Sequence, residues 1–172
     1  MRSIIRVAIV SWAALVAVVE GADRFVAPGA SGGGASWADP MNIQNAVVGA
    51  AAGSTVWVTN GTYTLTGQLT VTNFTIRSFN NGAVDRDGTI IDGNNYAGKT
   101  VTNRCFTLNH AGAVVEGFII TNGATAGLED GAGAYISAGT LRNCLVTGNV
   151  STNAYVYPAG GQGGGVYATG SG

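Results

Sequence analysis

Val115-Glu-Gly-Phe-Ile-Ile-Thr-Asn122 and Leu141-Arg-Asn-Cys-Leu-Val-Thr-Gly148 are two copies of one phrase, 26 residues apart, apolar for apolar at four positions and Thr for Thr at a fifth. A second pair, Gly131-Ala-Gly-Ala-Tyr135 and Gly163-Gly-Gly-Val-Tyr167, recurs at 32. The period is elastic, so the slack must lie in the loop between the two phrases. Repeats of this length predict stacked coils, each too small to bury its own apolar face. Val115, Phe118 and Ile120 are expected inward, with Leu141, Cys144 and Val146 beneath them in the next coil. Alternation breaks at Glu116-Gly117 and at Arg142-Asn143, which predicts a bend where Gly or Asn tolerates the left-handed backbone. The repeat is still running at Gly172, an expectation of a longer protein.

Composition fits such a stack. Of 172 residues, 46% are apolar and only 10% charged, and 28 are Gly. Strands joined by tight turns use this mixture, whereas long helices need the Glu, Lys, Arg and Leu that are scarce here. A formal charge of −1 gives no electrostatic case for nucleic acid or an anionic membrane.

The first residues read as an export signal. Arg2 and Arg6 precede the apolar run Val7 to Val19, broken only by Ser11, and Val19-Glu20-Gly21 offers small residues for cleavage before Ala22. Thirteen residues fall short of the roughly 20 that a spanning helix needs, so no membrane insertion is expected. Residues 1–21 are therefore assigned to a signal peptide. The remaining chain, with six basic and eight acidic residues, carries −2 and is expected to be secreted, extracellular or on the outer cell surface. An oxidising compartment permits disulfides. Cys144 nevertheless takes the place that Phe118 holds one repeat earlier, while Cys105 belongs to an earlier strand facing the Ala134 region. Both are read as small buried apolar residues.

One helix is predicted, over about residues 40–52. Asp39 is its expected N-cap with Pro40 at the first position, and Ile43, Val47, Ala50 and Ala51 form an apolar stripe ending at Gly53. Strands are predicted at Thr55–Thr59, Leu69–Thr72, Phe74–Ser78, Thr89–Asp92, Arg104–Asn109, Val114–Thr121, Ala134–Ser137 and Thr140–Thr147, with Asn60-Gly61 a turn.

The run Ser36-Trp-Ala-Asp-Pro-Met-Asn-Ile-Gln-Asn-Ala-Val-Val-Gly-Ala-Ala-Ala-Gly-Ser-Thr-Val-Trp-Val-Thr-Asn-Gly-Thr-Tyr63 resembles the N-terminal cap and first coil of right-handed parallel β-helix proteins of the pectin-lyase-like superfamily. The Gly-Gly-Gly-Val-Tyr unit and Asn143-Cys-Leu-Val-Thr-Gly-Asn149 resemble repeats of secreted bacterial β-helix proteins such as the polymorphic outer-membrane proteins. The resemblance covers nearly all of residues 24–172. It implies an all-β, single-stranded right-handed parallel β-helix over 22–172, with an N-terminal capping α-helix and coils from about residue 54. It implies no particular activity, because this architecture carries lyases, hydrolases, adhesins and tailspikes alike.

Motifs for chemistry are sparse. His110 is the only histidine, leaving little material for a Ser-His-Asp triad or a multi-histidine metal site, and it is read as a turn residue. Asp85-Arg-Asp-Gly88 begins like a calcium loop, but an EF-hand count places Ile90 where Gly is needed and no Glu closes it. It and Asp92-Gly-Asn-Asn95 are read as Asx turns. No metal site and no cofactor are predicted. The Asn-Thr-Asp, Asp-Asp, Gly-His-Gly and Arg-Ile-Lys motifs of polygalacturonase-type hydrolases are not found here.

The loops Asn122–Gly131 and Asn149–Gly163 follow equivalent strands, so they are expected on one side of the stack. Glu129 and Asp130 in the first, with Asn153, Tyr155 and Tyr157 in the second, set carboxylates and amides beside aromatics, a mixture suited to sugar hydroxyls and the apolar faces of sugar rings. The alternative at these positions is plain surface loops with tyrosines packed over their own turns. The expectation is a secreted or cell-surface repeat scaffold, adhesive or glycan-contacting and non-catalytic in this stretch, with an extracellular polysaccharide or cell-surface glycan as partner. The rival is the N-terminal part of a pectin-lyase-like polysaccharide lyase or glycoside hydrolase.

Overall fold

The computed structural model describes residues 21–96, 102–126, 129–152 and 163–169. The predicted signal segment therefore lies, up to residue 20, outside the described residues. The strands are β1 Arg24–Val26, β2 Thr55–Thr59, β3 Gly61–Thr64, β4 Leu69–Val71, β5 Thr75–Phe79, β6 Thr89–Asp92, β7 Phe106–Glu116, β8 Ile119–Thr121, β9 Ala124–Ala126, β10 Ala134–Arg142, β11 Leu145–Val146, β12 Val150–Thr152 and β13 Val166–Ala168. The one described helix is α1, Ile43–Val48.

The protein is all-β with parallel sheets. Sheet A runs β1-β2-β5-β7-β10-β13 with β4 also paired to β7; sheet B runs β3-β6-β8-β11; sheet C is β9-β12. After β7 the chain enters sheet B at β8 and sheet C at β9, then returns to sheet A at β10, and repeats the circuit through β11 and β12 to β13. Parallel strands cannot be joined by a tight hairpin, so every partner comes from another pass of the chain. Asn60-Gly61 accordingly turns a corner from sheet A into sheet B, where Gly61 pairs with Thr89.

Register places like above like. Val115 pairs with Leu141, Ile120 with Val146 and Ala134 with Val166, reproducing the 26- and 32-residue offsets of the sequence. In the core, Val56, Ile76, Val115 and Leu141 form one inward row, and Tyr63, Ile91, Ile120 and Val146 another. Val115, Phe118 and Ile120 are fully buried, and the Phe106 and Phe118 rings lie 6.1 Å apart. Leu141, Cys144 and Val146 pack on this core but are half-buried, because the next described strand, β13, covers only Ala134 to Ile136. Burying each large apolar side chain contributes about 1.5 to 3 kcal/mol.

The predicted bends carry left-handed backbone. Gly117 has φ 82° and Asn143 φ 51°. At Gly117 a Cβ would also run into Val84 and the Ser78 hydroxyl, so the position is closed to side chains on two counts. A parallel corner follows at Asn122, φ 53°, and Gly148, φ 63°. Asn149 holds that corner in register: its Oδ1 accepts from Gly123 N at 2.7 Å and its Nδ2 donates to Ile120 O at 2.9 Å.

The helix departs from its predicted bounds. Asn42, not Asp39, is the N-cap, its side chain accepting from Asn45 N at 2.8 Å. Asp39 instead accepts from Gly33 N, while Met41 N donates to Phe25 O, so residues 39–41 are drawn out alongside β1 and cannot start a helix. Helical structure stops at Val48, which removes Ala50 and Ala51 from the stripe; Ile43, Ala46 and Val47 are its buried residues, and Ala51 is exposed. Strands β1, β3, β9 and β12 lie outside the predicted set: their own residues show no apolar alternation, and each is extended by pairing with a strand from another pass of the chain.

Phe118→Ala is expected to lower unfolding free energy by about 3 to 5 kcal/mol. Ile119→Ala, on the outward side of the same corner, is expected to cost much less. Chemical denaturation of both variants checks this, and equal losses would show the faces to be reversed.

Candidate functional site

Because inward rows stack, outward rows stack too, and two of them gather chemistry. The first crosses sheet A as Thr70, Thr107, Tyr135 and Tyr167. The Tyr135 and Tyr167 rings are stacked at 6.0 Å with 21° between planes. Arg104, just before β7, closes the other side of Tyr135, its guanidinium 5.2 Å from the ring centroid. That guanidinium is held in place by Asp130 O at 2.8 Å, Gly131 O at 3.1 Å and Gln68 Oε1 at 3.3 Å.

The two predicted acidic residues meet this row. Glu129 is exposed, and its carboxylate comes within 3.9 Å of Arg104 Nη2. Its own carbonyl is the anchor of the loop, accepting from Thr125 Oγ1 at 3.0 Å and from Ser151 Oγ at 3.2 Å. Asp130 joins Arg104 through its backbone carbonyl. Asn153, Tyr155 and Tyr157 lie outside the described residues. The strands that open the two loops, β9 and β12, pair in parallel from Val150 on Ala124 to Thr152 on Ala126. The arrangement offers phenol hydroxyls, an oriented guanidinium, a carboxylate and the Gln68 amide on one surface. The sequence reading missed Arg104, Tyr135 and Tyr167 as site residues, although the Gly-x-Gly-x-Tyr unit at offset 32 already set one tyrosine above the other.

The second row runs Phe25, Trp57, Arg77, Glu116, Arg142. Glu116 is bracketed by Arg77 on one strand and by Arg142, at 3.0 Å, on the other. Burial pushes the Glu116 carboxyl up, but the hydrogen bonds from Arg142 and Arg77 and their charges outweigh it and hold the group below the usual carboxylate range. Arg77 also lies over the Trp57 ring at 5.4 Å, and Trp57 Nε1 donates to Asp23 at 2.9 Å.

The remaining polar candidates are occupied by the chain itself. Asp85 accepts from Asn60 Nδ2 at 2.8 Å, Asn80 Nδ2 at 2.9 Å and Gly88 N at 3.3 Å, and the bonds from Asn60 and Asn80 hold its carboxyl low. Asp92, buried, accepts from Asn94 N, Asn122 Nδ2 and the Tyr96 hydroxyl. His110 Nδ1 accepts from Gly112 N at 2.9 Å, folding an exposed bulge in the middle of β7. Both cysteines are free thiols. Burial, with the Asp92 charge behind it, pushes Cys105 up to about 12, and burial also raises Cys144, so neither offers a thiolate near neutral pH. Among the described residues no three His, Cys, Asp or Glu side chains converge as metal ligands, and no helix is long and apolar enough to cross a membrane.

The depressed Glu116 carboxyl has a pH signature. A folded-state value below the unfolded one contributes stability above the ordinary carboxylate range, and this is lost as pH falls through the folded value. Glu116→Gln is therefore expected to lower the melting temperature by about 2 to 4 °C at neutral pH, the shift of about 1 kcal/mol in a chain of this size. The gap should close in strong acid, which thermal melts at pH 7 and pH 2.5 measure. Comparisons with protein families, curated proteins and solved structures return no match for this chain.

Proposed function

We propose that this chain is an exported right-handed parallel β-helix of the pectin-lyase-like superfamily that serves, outside the cell or on its outer surface, as a glycan-contacting scaffold. The parallel registers of sheets A, B and C and the return of the chain to sheet A on each circuit support the coil architecture. Crossovers between parallel strands are overwhelmingly right-handed, which supports the hand. In this reading α1, with Ile43, Ala46 and Val47 buried, covers the apolar start of the stack.

The observation that carries the functional part is the row of Arg104, Tyr135 and Tyr167 with Glu129 beside it. The arginine is held by backbone carbonyls, so it is oriented before any ligand arrives, and binding loses little side-chain freedom. Phenol hydroxyls one strand apart and a flanking carboxylate match the spaced hydroxyls of a polysaccharide lying across the strands. Asn153, Tyr155 and Tyr157, which follow β12 in sequence, are proposed to extend the same surface.

The full chain is expected to bind one or more members of an immobilised polysaccharide panel. Replacing Tyr135 and Tyr167 together by Ala should weaken that binding by about 1 to 3 kcal/mol. Thr62→Ala, on an outward position of sheet B, should leave it unchanged. A panel without any bound polysaccharide, or binding that survives loss of both tyrosines in a folded protein, overturns the reading. Release of new reducing or unsaturated chain ends would favour the lyase or hydrolase instead.

A further inference from the structure

A cleft of about 300 Å³ opens beside the early coils, lined by Trp37, Thr59, Asn60, Phe79, Asn80 and Asn81. Its floor is aromatic. Trp37 stacks on Phe79 at 5.2 Å with 19° between planes, the Phe25 ring meets Trp37 edgewise at 4.8 Å, and Trp57 braces Phe79 from the other side at 5.5 Å. Trp37 nonetheless keeps 39% of its surface exposed, and its indole N–H makes no hydrogen bond among the described residues.

The polar wall is rigid. Asn80 and Ala83 exchange backbone hydrogen bonds at 2.8 and 3.0 Å across a tight turn whose central residues, Asn81 and Gly82, have φ of 49° and 88°, the pattern of a type I′ turn. Asn60 and Asn80 are fixed behind the cleft by their bonds to Asp85. That leaves the Asn81 amide, exposed at the rim and without a hydrogen bond among the described residues, as a free donor and acceptor at a defined place. None of the six lining side chains carries a charge.

We infer that this cleft is a second ligand site, separate from the tyrosine row, and that it takes a pyranose ring of a neutral glycan. A charged sugar would find no counter-ion in the lining, and a wholly apolar ligand would leave the Asn81 amide and the indole N–H buried without partners. A neutral pyranose answers both needs, with C–H groups for the Trp37 surface and equatorial hydroxyls for the amide. A volume near 300 Å³ lies at the small end of ligand sites, one to two rings rather than a long chain.

The test is titration of the full chain with cellohexaose, mannohexaose and xylohexaose, followed by tryptophan fluorescence and calorimetry. At least one of them is expected to change the emission saturably. Trp37→Ala should abolish that change, and Trp37→Phe should restore part of the affinity. Asn81→Gly suits the left-handed turn and removes the amide side chain; it should weaken binding roughly tenfold in a protein that still folds. The Tyr135→Ala, Tyr167→Ala double variant should respond like the parent chain, so failure of the tyrosine row and failure of this cleft are read separately. Three results overturn the inference: no response to any neutral oligosaccharide, undiminished binding by folded Trp37→Ala or Asn81→Gly, or loss of the response in the tyrosine double variant.

Discussion

Everything in this structure depends on parallel register between one pass of the chain and the next. A strand of three to five residues has no stable partner nearby in sequence, so its paired amides and carbonyls are satisfied by strands from other passes of the chain. Side chains alternate between faces, and a slip of one residue would therefore turn Phe118 and Ile120 outward and bring Ile119 into the core. The buried rows through Val115 and Ile120 oppose that slip at every level. So do the left-handed corners at Gly117, Asn122 and Asn143, which fix where each strand ends. Asn149, bonded at once to Gly123 and Ile120, locks the corner of one pass to that of its neighbour.

This dependence explains which features were legible from residues alone. The offsets of 26 and 32, the inward set Val115, Phe118, Ile120, and the bends at Gly117 and Asn143 all arise from side-chain type, and the sequence states them openly. Strands β1, β3, β9 and β12 escaped because their neighbours in space, not a pattern in their own residues, make them strands. The helix bounds failed for a related reason. Asp39 has the chemistry of an N-cap, but pairing of Met41 with β1 claims the backbone there first, and Asn42 inherits the role.

Site residues divided along the same line. Glu129 and Asp130 were visible as polar residues in a repeat insertion, yet their backbone is tied to Thr125 and Ser151 and to Arg104, a residue 26 positions before Asp130 with no motif around it. Tyr135 and Tyr167 become a stacked pair only through register. The Trp37 cluster draws on residues from position 25 to position 79, which no window of sequence would join. Outward rows are thus a by-product of inward ones: once the core is stacked, whatever lies on the other face is stacked as well, whether tyrosines or alternating arginine and glutamate.

The connections between paired strands have another consequence. Partners lie 20 residues apart at Thr55 and Thr75, 39 at Thr75 and Val114, 26 at Val115 and Leu141, and 32 at Ala134 and Val166, with parallel pairing throughout. Doubling the length of a flexible connection costs only about 0.6 kcal/mol. Connections of unequal length therefore close at nearly equal cost, and the parallel registers of the buried rows are kept while the segments between them vary in length. Length is thus a free variable of the outer segments, whereas position in the core is not.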